Sequence, residues 1–232
     1  MIEPQNPFAN KELTTEERIV LRAEREANIE AEKNGGIPTK HSLIKLRKAY
    51  DDAGNDFKAA ETLEQQNEIY PNPEDYNLIG VYYHNSGNKD KAVEFFERAI
   101  EHNPNDYWPN FNLGNTLFYK DPQRARKHLN KAYELYPSEP CINILLGRLD
   151  KNEGKTVEAK EKFQIAYDKY EQRWKANSLS DTDYDWFASV AEELGKRDKA
   201  YEIRRAKPKI EKTSYYDEEN LTQTILKSIT KI

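Results

Sequence analysis

The stretch Tyr76-Asn77-Leu78-Ile79-Gly80-Val81-Tyr82-Tyr83, followed by Ala92, Phe96, Ala99 and Pro104, decides the fold. Its large residues at 76, 79 and 83 stand three and four apart, the spacing that lines one face of an α-helix and not of a strand. Gly80 puts the smallest residue on that face, where another helix has to come close. Gly87 then supplies a turn, Ala92, Phe96 and Ala99 mark a second helix by the same spacing, and Pro104 closes the unit. A hairpin of this size cannot bury its apolar face alone, so the reading requires neighbours that share one core.

Those neighbours are written along the chain. Alanines for the tightest contact fall at Ala59, Ala92, Ala125, Ala159 and Ala200, closing prolines at Pro71, Pro104 and Pro137, and turn glycines at Gly54, Gly87, Gly154 and Gly195. Small residues on first helices recur at Gly80, Gly114, Gly147 and Ala188, with Arg47 as the exception, which marks the earliest unit as a divergent end. Large core side chains follow the same register: Leu43, Leu46, Tyr50 and Leu63; then Tyr76, Ile79, Tyr83 and Phe96; then Leu113, Leu117 and Leu129; then Leu146 and Phe163; then Tyr184 and Phe187.

The pattern resembles the tetratricopeptide repeat, and the chain is identified on these residues as a member of that family. The resemblance implies an all-α fold, a right-handed superhelical solenoid of helix-turn-helix units with flanking helices. About five units are expected, at 40–72, 73–106, 107–139, 140–176 and 181–208, within a solenoid spanning 37–210. Before it stand a poorly ordered lead at 1–12 and a charged helix at 13–36, and after it a capping helix at 211–232.

Composition taken alone points elsewhere, since 33% charged residues and a mean hydropathy of -1.02 drift toward disorder. Fifteen Tyr, eight Phe and three Trp reverse that, because most sit at core positions of the units and each buries a large area. A net charge of -5 argues against a nucleic-acid partner. A single cysteine, Cys141, has no disulfide mate within the chain, and no apolar run reaches signal-peptide or membrane-spanning length, so a cytoplasmic protein without a membrane partner is expected.

The irregular segments are informative as well. Thr14-x-x-Glu17 reads as a capping box that starts the charged helix, and Gly35-Gly36 with Pro38 stops it. Val20, Ala23, Ala27 and Ala31 give that helix a narrow stripe, suited to docking on the first hairpin or to pairing with another chain. The third turn, Lys120-Asp121-Pro122, is one residue short, and the fourth unit has a long second helix from about Thr156 to Lys175. In the last unit Arg204 and Lys207 replace a large and a small core residue, as a closing unit requires. Asp217 is placed to cap a last helix with Leu221, Ile225 and Ile229 on one face, which would seal the end of the stack or act as an internal ligand.

Chemistry-bearing motifs do not emerge. His41, His84, His102 and His128 show no metal-ligand spacing, Cys141 has no surrounding motif, and there is no phosphate-cradling loop or nucleophile elbow. No cofactor and no catalytic residue are expected.

The family resemblance implies a concave surface lined by first helices. Its positions here are Asn77, Val81 and His84, then Trp108, Phe111, Asn112, Asn115 and Phe118, then Ile144, Arg148 and Lys151. Asparagine can pair with a peptide backbone, aromatics anchor, and Arg or Lys meets a carboxylate, so the expected partner is a protein peptide or helix, with acidic character among the candidates. The carboxylate clamp by which some family members grip acidic chaperone tails is absent. One register supplies Asn77, Val81, Asn112, Cys141 and Leu145, the other Ile44, Lys48, Leu78, Trp108 and Asn112. The sequence therefore implies a non-enzymatic scaffold or adaptor. The alternatives are a self-associating homodimer built through the terminal helices, or a chaperone-system accessory without the clamp.

Overall fold

The computed structural model describes residues 13–208. The lead at 1–12 and the helix expected at 211–232 lie outside the described residues. Among those described, eleven α-helices and no strand occur: α1 Thr15–Lys33, α2 Lys40–Asp52, α3 Asp56–Ile69, α4 Tyr76–Asn85, α5 Lys89–His102, α6 Tyr107–Leu117, α7 Pro122–Leu135, α8 Pro140–Asn152, α9 Thr156–Lys175, α10 Asp181–Glu193 and α11 Arg197–Ala206. From α2 onward they pair as α2/α3, α4/α5, α6/α7, α8/α9 and α10/α11, and each pair packs on the next. The all-α solenoid read from the sequence is the fold observed.

Local chemistry sets the helix ends. Thr14 accepts from Glu17 N at 3.1 Å while Glu17 Oε2 accepts from Thr14 N at 2.8 Å, so the box satisfies two otherwise unpaired donors at the start of α1. Ser180 and Asp183 repeat the device at α10. Between paired helices Gly54, Gly87, Gly154 and Gly195 all take left-handed φ, from +70° to +84°, which a side chain would resist. The short third turn lacks such a glycine; Asp121 accepts from Arg124 N at 3.0 Å and Pro122 opens α7.

Packing follows the small residues. A methyl group at Gly80 would lie 2.6 Å from the buried Phe96 ring; at Gly114 it would meet Leu129 at 2.6 Å, and at Gly147 it would meet Phe163 at 2.7 Å. First and second helices of these pairs therefore approach as closely as backbones permit, with Ala92, Ala125 and Ala159 equally buried on the partner helix.

At the amino end α1 takes the place of a preceding second helix. Its Glu24 accepts from Tyr50 of α2, just as Glu64 of α3 accepts from Tyr83 of α4, and Ala27 is buried. The small-residue stripe is thus used against the first hairpin. At the other end α11 buries only Ala200 and Ile203.

A buried carboxylate ties the third and fourth pairs together. Asp150 of α8 meets Arg126 of α7 at 2.8 Å and Lys162 of α9 at 2.6 Å. Burial alone would raise the Asp150 carboxyl, but the hydrogen bonds from Lys162 and Arg126 outweigh it and hold the group below its ordinary value.

Two outcomes are expected. Gly80→Leu should cost about 1–3 kcal/mol through overpacking against Phe96, whereas an unchanged denaturation curve would refute the close approach. Asp150→Asn should cost about 1–3 kcal/mol near neutral pH. Because the folded value is depressed, that stabilisation is complete above about pH 4 and is lost as pH falls through the folded value. Urea titrations at about pH 7 and about pH 3 should therefore show the variant losing less stability on acidification than the native chain.

Candidate binding groove

The inner face of the stack is where successive first helices, α2, α4, α6, α8 and α10, meet one another, and a ladder of polar contacts crosses it. Arg47 of α2 donates to the Tyr82 hydroxyl of α4 at 3.0 Å. Asn112 Nδ2 of α6 donates to Asn77 Oδ1 of α4 at 3.0 Å. His84 Nδ1 lies 2.9 Å from Thr116 Oγ1, and Thr116 donates its own proton to the Asn112 carbonyl at 2.7 Å, so the imidazole is the donor between them. Burial, then Lys89, lowers the His84 pKa, so the ring is neutral at physiological pH.

Farther along, Arg148 Nε of α8 donates to Glu193 Oε1 of α10 at 2.9 Å, with a second bond to Ser189, and Lys151 reaches Glu193 Oε2 at 2.9 Å. Burial would raise the Glu193 carboxyl, but Lys151 and Arg148 prevail and lower it, so one carboxylate neutralises much of the positive charge expected to meet a ligand.

The amino half of α8 does not open onto the groove. Phe111 of α6 and Trp186 of α10 bring their rings to 6.4 Å across α8, and Trp108 stands 6.4 Å from Phe111 on the near side. Beneath that contact every residue from Pro140 to Gly147 is buried. Ile144, expected as a groove contact, is 0% exposed and belongs to the core between α8, α9 and α10. Phe111 and Phe118 are also buried, at 7% and 5% exposure, and build the wall of the groove more than its surface.

The open part runs over α2, α4 and α6. Trp108 is 58% exposed, Leu78 38% and Ile44 39%, with half-buried Val81 among them. Beside this apolar strip lie Asn77 and Asn112, whose mutual bond leaves Asn77 Nδ2 and Asn112 Oδ1 to a newcomer, and Asn115, whose side chain takes no hydrogen bond among the described residues. Sequence reasoning missed Trp186, because the long α9 stretches the spacing there; it stands two residues before Ala188, as Leu78 stands two before Gly80. Ile44 and Leu78 fail as clamp positions, yet their exposure makes them surface.

Comparison with known proteins agrees with this architecture. The tetratricopeptide-repeat family pattern matches residues 73–106. Over those residues the chain carries a tetratricopeptide repeat. Among solved structures it resembles that titled "Crystal structure of MamA", at 20% identity and a TM-score of 0.57, over 71% of this chain and 99% of that one. It also resembles "MamA 41-end from Desulfovibrio magneticus RS-1", at 17% identity and a TM-score of 0.53, over 72% and 91% of the two chains. At these identities the likeness concerns the fold.

Cys141 sits under the Phe111 and Trp186 cover, 3.8 Å from the Tyr107 hydroxyl. Burial, then Glu139, pushes its thiol up to about 12, so the nucleophilic thiolate is scarce at neutral pH. No group of three or more His, Cys, Asp or Glu suited to a metal ion occurs among the described residues, and no helix among them is long and apolar enough to cross a membrane.

Reaction with a small aromatic disulfide reagent measures the cover over α8 directly. The folded thiol should react at least about 100-fold more slowly than the unfolded one, and Trp186→Ala should recover part of that factor. Equal rates in folded and unfolded chain would show that α8 is open.

Proposed function

We propose that this chain is a non-enzymatic scaffold or adaptor that holds a peptide or helix of a partner protein against the inner faces of α2, α4 and α6. The carrying observation is the strip of Ile44, Leu78 and Trp108, three exposed apolar side chains on first helices beside asparagines with unused hydrogen-bonding capacity. Exposed Trp is the residue type most able to anchor a partner, since it buries a large area with few rotors to immobilise. Asn115 and the Asn77–Asn112 pair suit the alternating donors and acceptors of a peptide backbone.

Acidity is secondary in this reading. Arg148 and Lys151 already share Glu193, so an acidic ligand would have to compete with a partly buried carboxylate. The ligand that fits best is apolar on one side and presents backbone or amide groups on the other. Arg148, half-buried and paired, is also a poor probe of binding because its removal takes away one of the two cations that Glu193 meets.

A displayed library of random twelve-residue peptides tests the groove whatever the natural partner is. Selected peptides should be rich in large apolar residues, and Trp108→Ala or Asn112→Ala should weaken them by about 10-fold or more, equivalent to about 1.4 kcal/mol or more, with melting temperature nearly unchanged. Selected peptides whose affinity ignores both substitutions would contradict the groove.

A further inference from the structure

Along the seam between α4 and α6 two side-chain contacts stand in register. Asn77 and His84, two turns apart on one side of α4, meet Asn112 and Thr116, one turn apart on α6. The two contacts are thus about 10 Å apart by helical rise. Half-buried Val81 lies between them on the same side of α4.

At the His84 end the protons have one arrangement. A hydroxyl carries a single proton, and Thr116 gives its own to the Asn112 carbonyl at 2.7 Å, so its oxygen can only accept from the imidazole 2.9 Å away. Nδ1 therefore holds the proton, and the neutral ring keeps a lone pair on Nε2. Thr116 is 5% exposed, so the bond that orients the ring is sheltered from competing water. Nε2 itself takes no hydrogen bond among the described residues, and it is not one of their buried atoms without a partner, so water or a ligand reaches it.

Charge decides what that lone pair can take. Around the ring, α4 packs against α3, α5 and α6. Lys89, at the start of α5, acts on the imidazole by repulsion, and among the described residues no other charged group shifts it. A cationic donor would be repelled by Lys89, and a carboxylate would meet a lone pair. A neutral N–H or O–H meets neither obstacle. Protonation reverses this chemistry, because the imidazolium keeps its bond to Thr116 and turns Nε2 into a second donor. Burial and Lys89 keep the ring neutral at physiological pH, so the reversal belongs to mildly acidic conditions.

We propose that His84 Nε2 is a specificity-determining acceptor of the groove, which receives a neutral donor of the partner, a backbone N–H or an amide or hydroxyl side chain, and releases it when the ring gains a second proton. This inference rests on reading the inner face of α4 and α6 as the binding groove. Thr116 acts as a positioning residue, because it reaches the donor through the ring.

The full chain is tested with a library-selected twelve-residue peptide free of Asp, Glu and His, so that only the protein titrates. Its dissociation constant should rise at least about threefold from about pH 7.5 to about pH 5. His84→Gln, whose amide oxygen can accept at similar reach and does not titrate, should bind within about twofold of the native chain at the higher pH and lose the rise. His84→Asn keeps a donor for Thr116 but has no atom in place of Nε2. It should bind about fivefold more weakly at the higher pH, without the rise and with melting temperature nearly unchanged. Nitrogen NMR of the labelled imidazole should place the proton of the neutral ring on Nδ1. A native chain without the rise, an equal rise in His84→Gln, or a proton on Nε2 would overturn the proposal. The groove survives those results if Trp108→Ala or Asn112→Ala still weakens the peptide. A peptide that ignores both of those substitutions removes the groove and this acceptor together.

Discussion

Everything in this molecule depends on one kind of contact, a residue without a side chain lying under a large one. Gly80 under Phe96, Gly114 under Leu129 and Gly147 under Phe163 let first and second helices approach until backbone meets ring or branched carbon. Each such contact fixes the spacing of one pair, and shared neighbours such as Leu113 and Leu117 then carry the core into the next. Close packing of this sort has little slack, because a single added methyl group would overlap the buried side chain opposite and force it to shift. The regularity of the stack is the regularity of these approaches.

That is why the fold was legible in the sequence. Glycine or alanine among large residues at helical spacing has few other physical meanings, and its recurrence with turn glycines and closing prolines pointed to stacked helical pairs. The cap of α1 was legible for the same reason, since Thr14 and Glu17 act over three residues. Openness of a surface was harder to read. Register put Ile144 on the inner face, but whether that face sees solvent depends on how α6 and α10 lean over α8, and the Phe111–Trp186 contact closes it. Arg148 and Lys151 were likewise assigned to a ligand because their partner Glu193 lies more than forty residues away and one pair farther along.

With the amino half of α8 covered and the basic residues of its other half engaged, the binding surface proposed here is the part on α2, α4 and α6, and the recognition proposed for it is apolar anchoring flanked by asparagine in place of acidic recognition. Conserving helix-to-helix bonds while leaving half of each amide free gives a surface that is rigid yet able to pair with a backbone, which lowers the ordering cost of binding. The fold leaves the identity of the partner to the chemistry of that strip.

Site-specific photo-crosslinking of the full chain tests this account most directly, with the photoreactive group placed at Leu78 on the inner face or at Tyr133 on the outer face of α7. The account predicts that a bound library-selected peptide is captured from position 78 and that position 133 gives only background. Equal or greater capture from position 133 would contradict it.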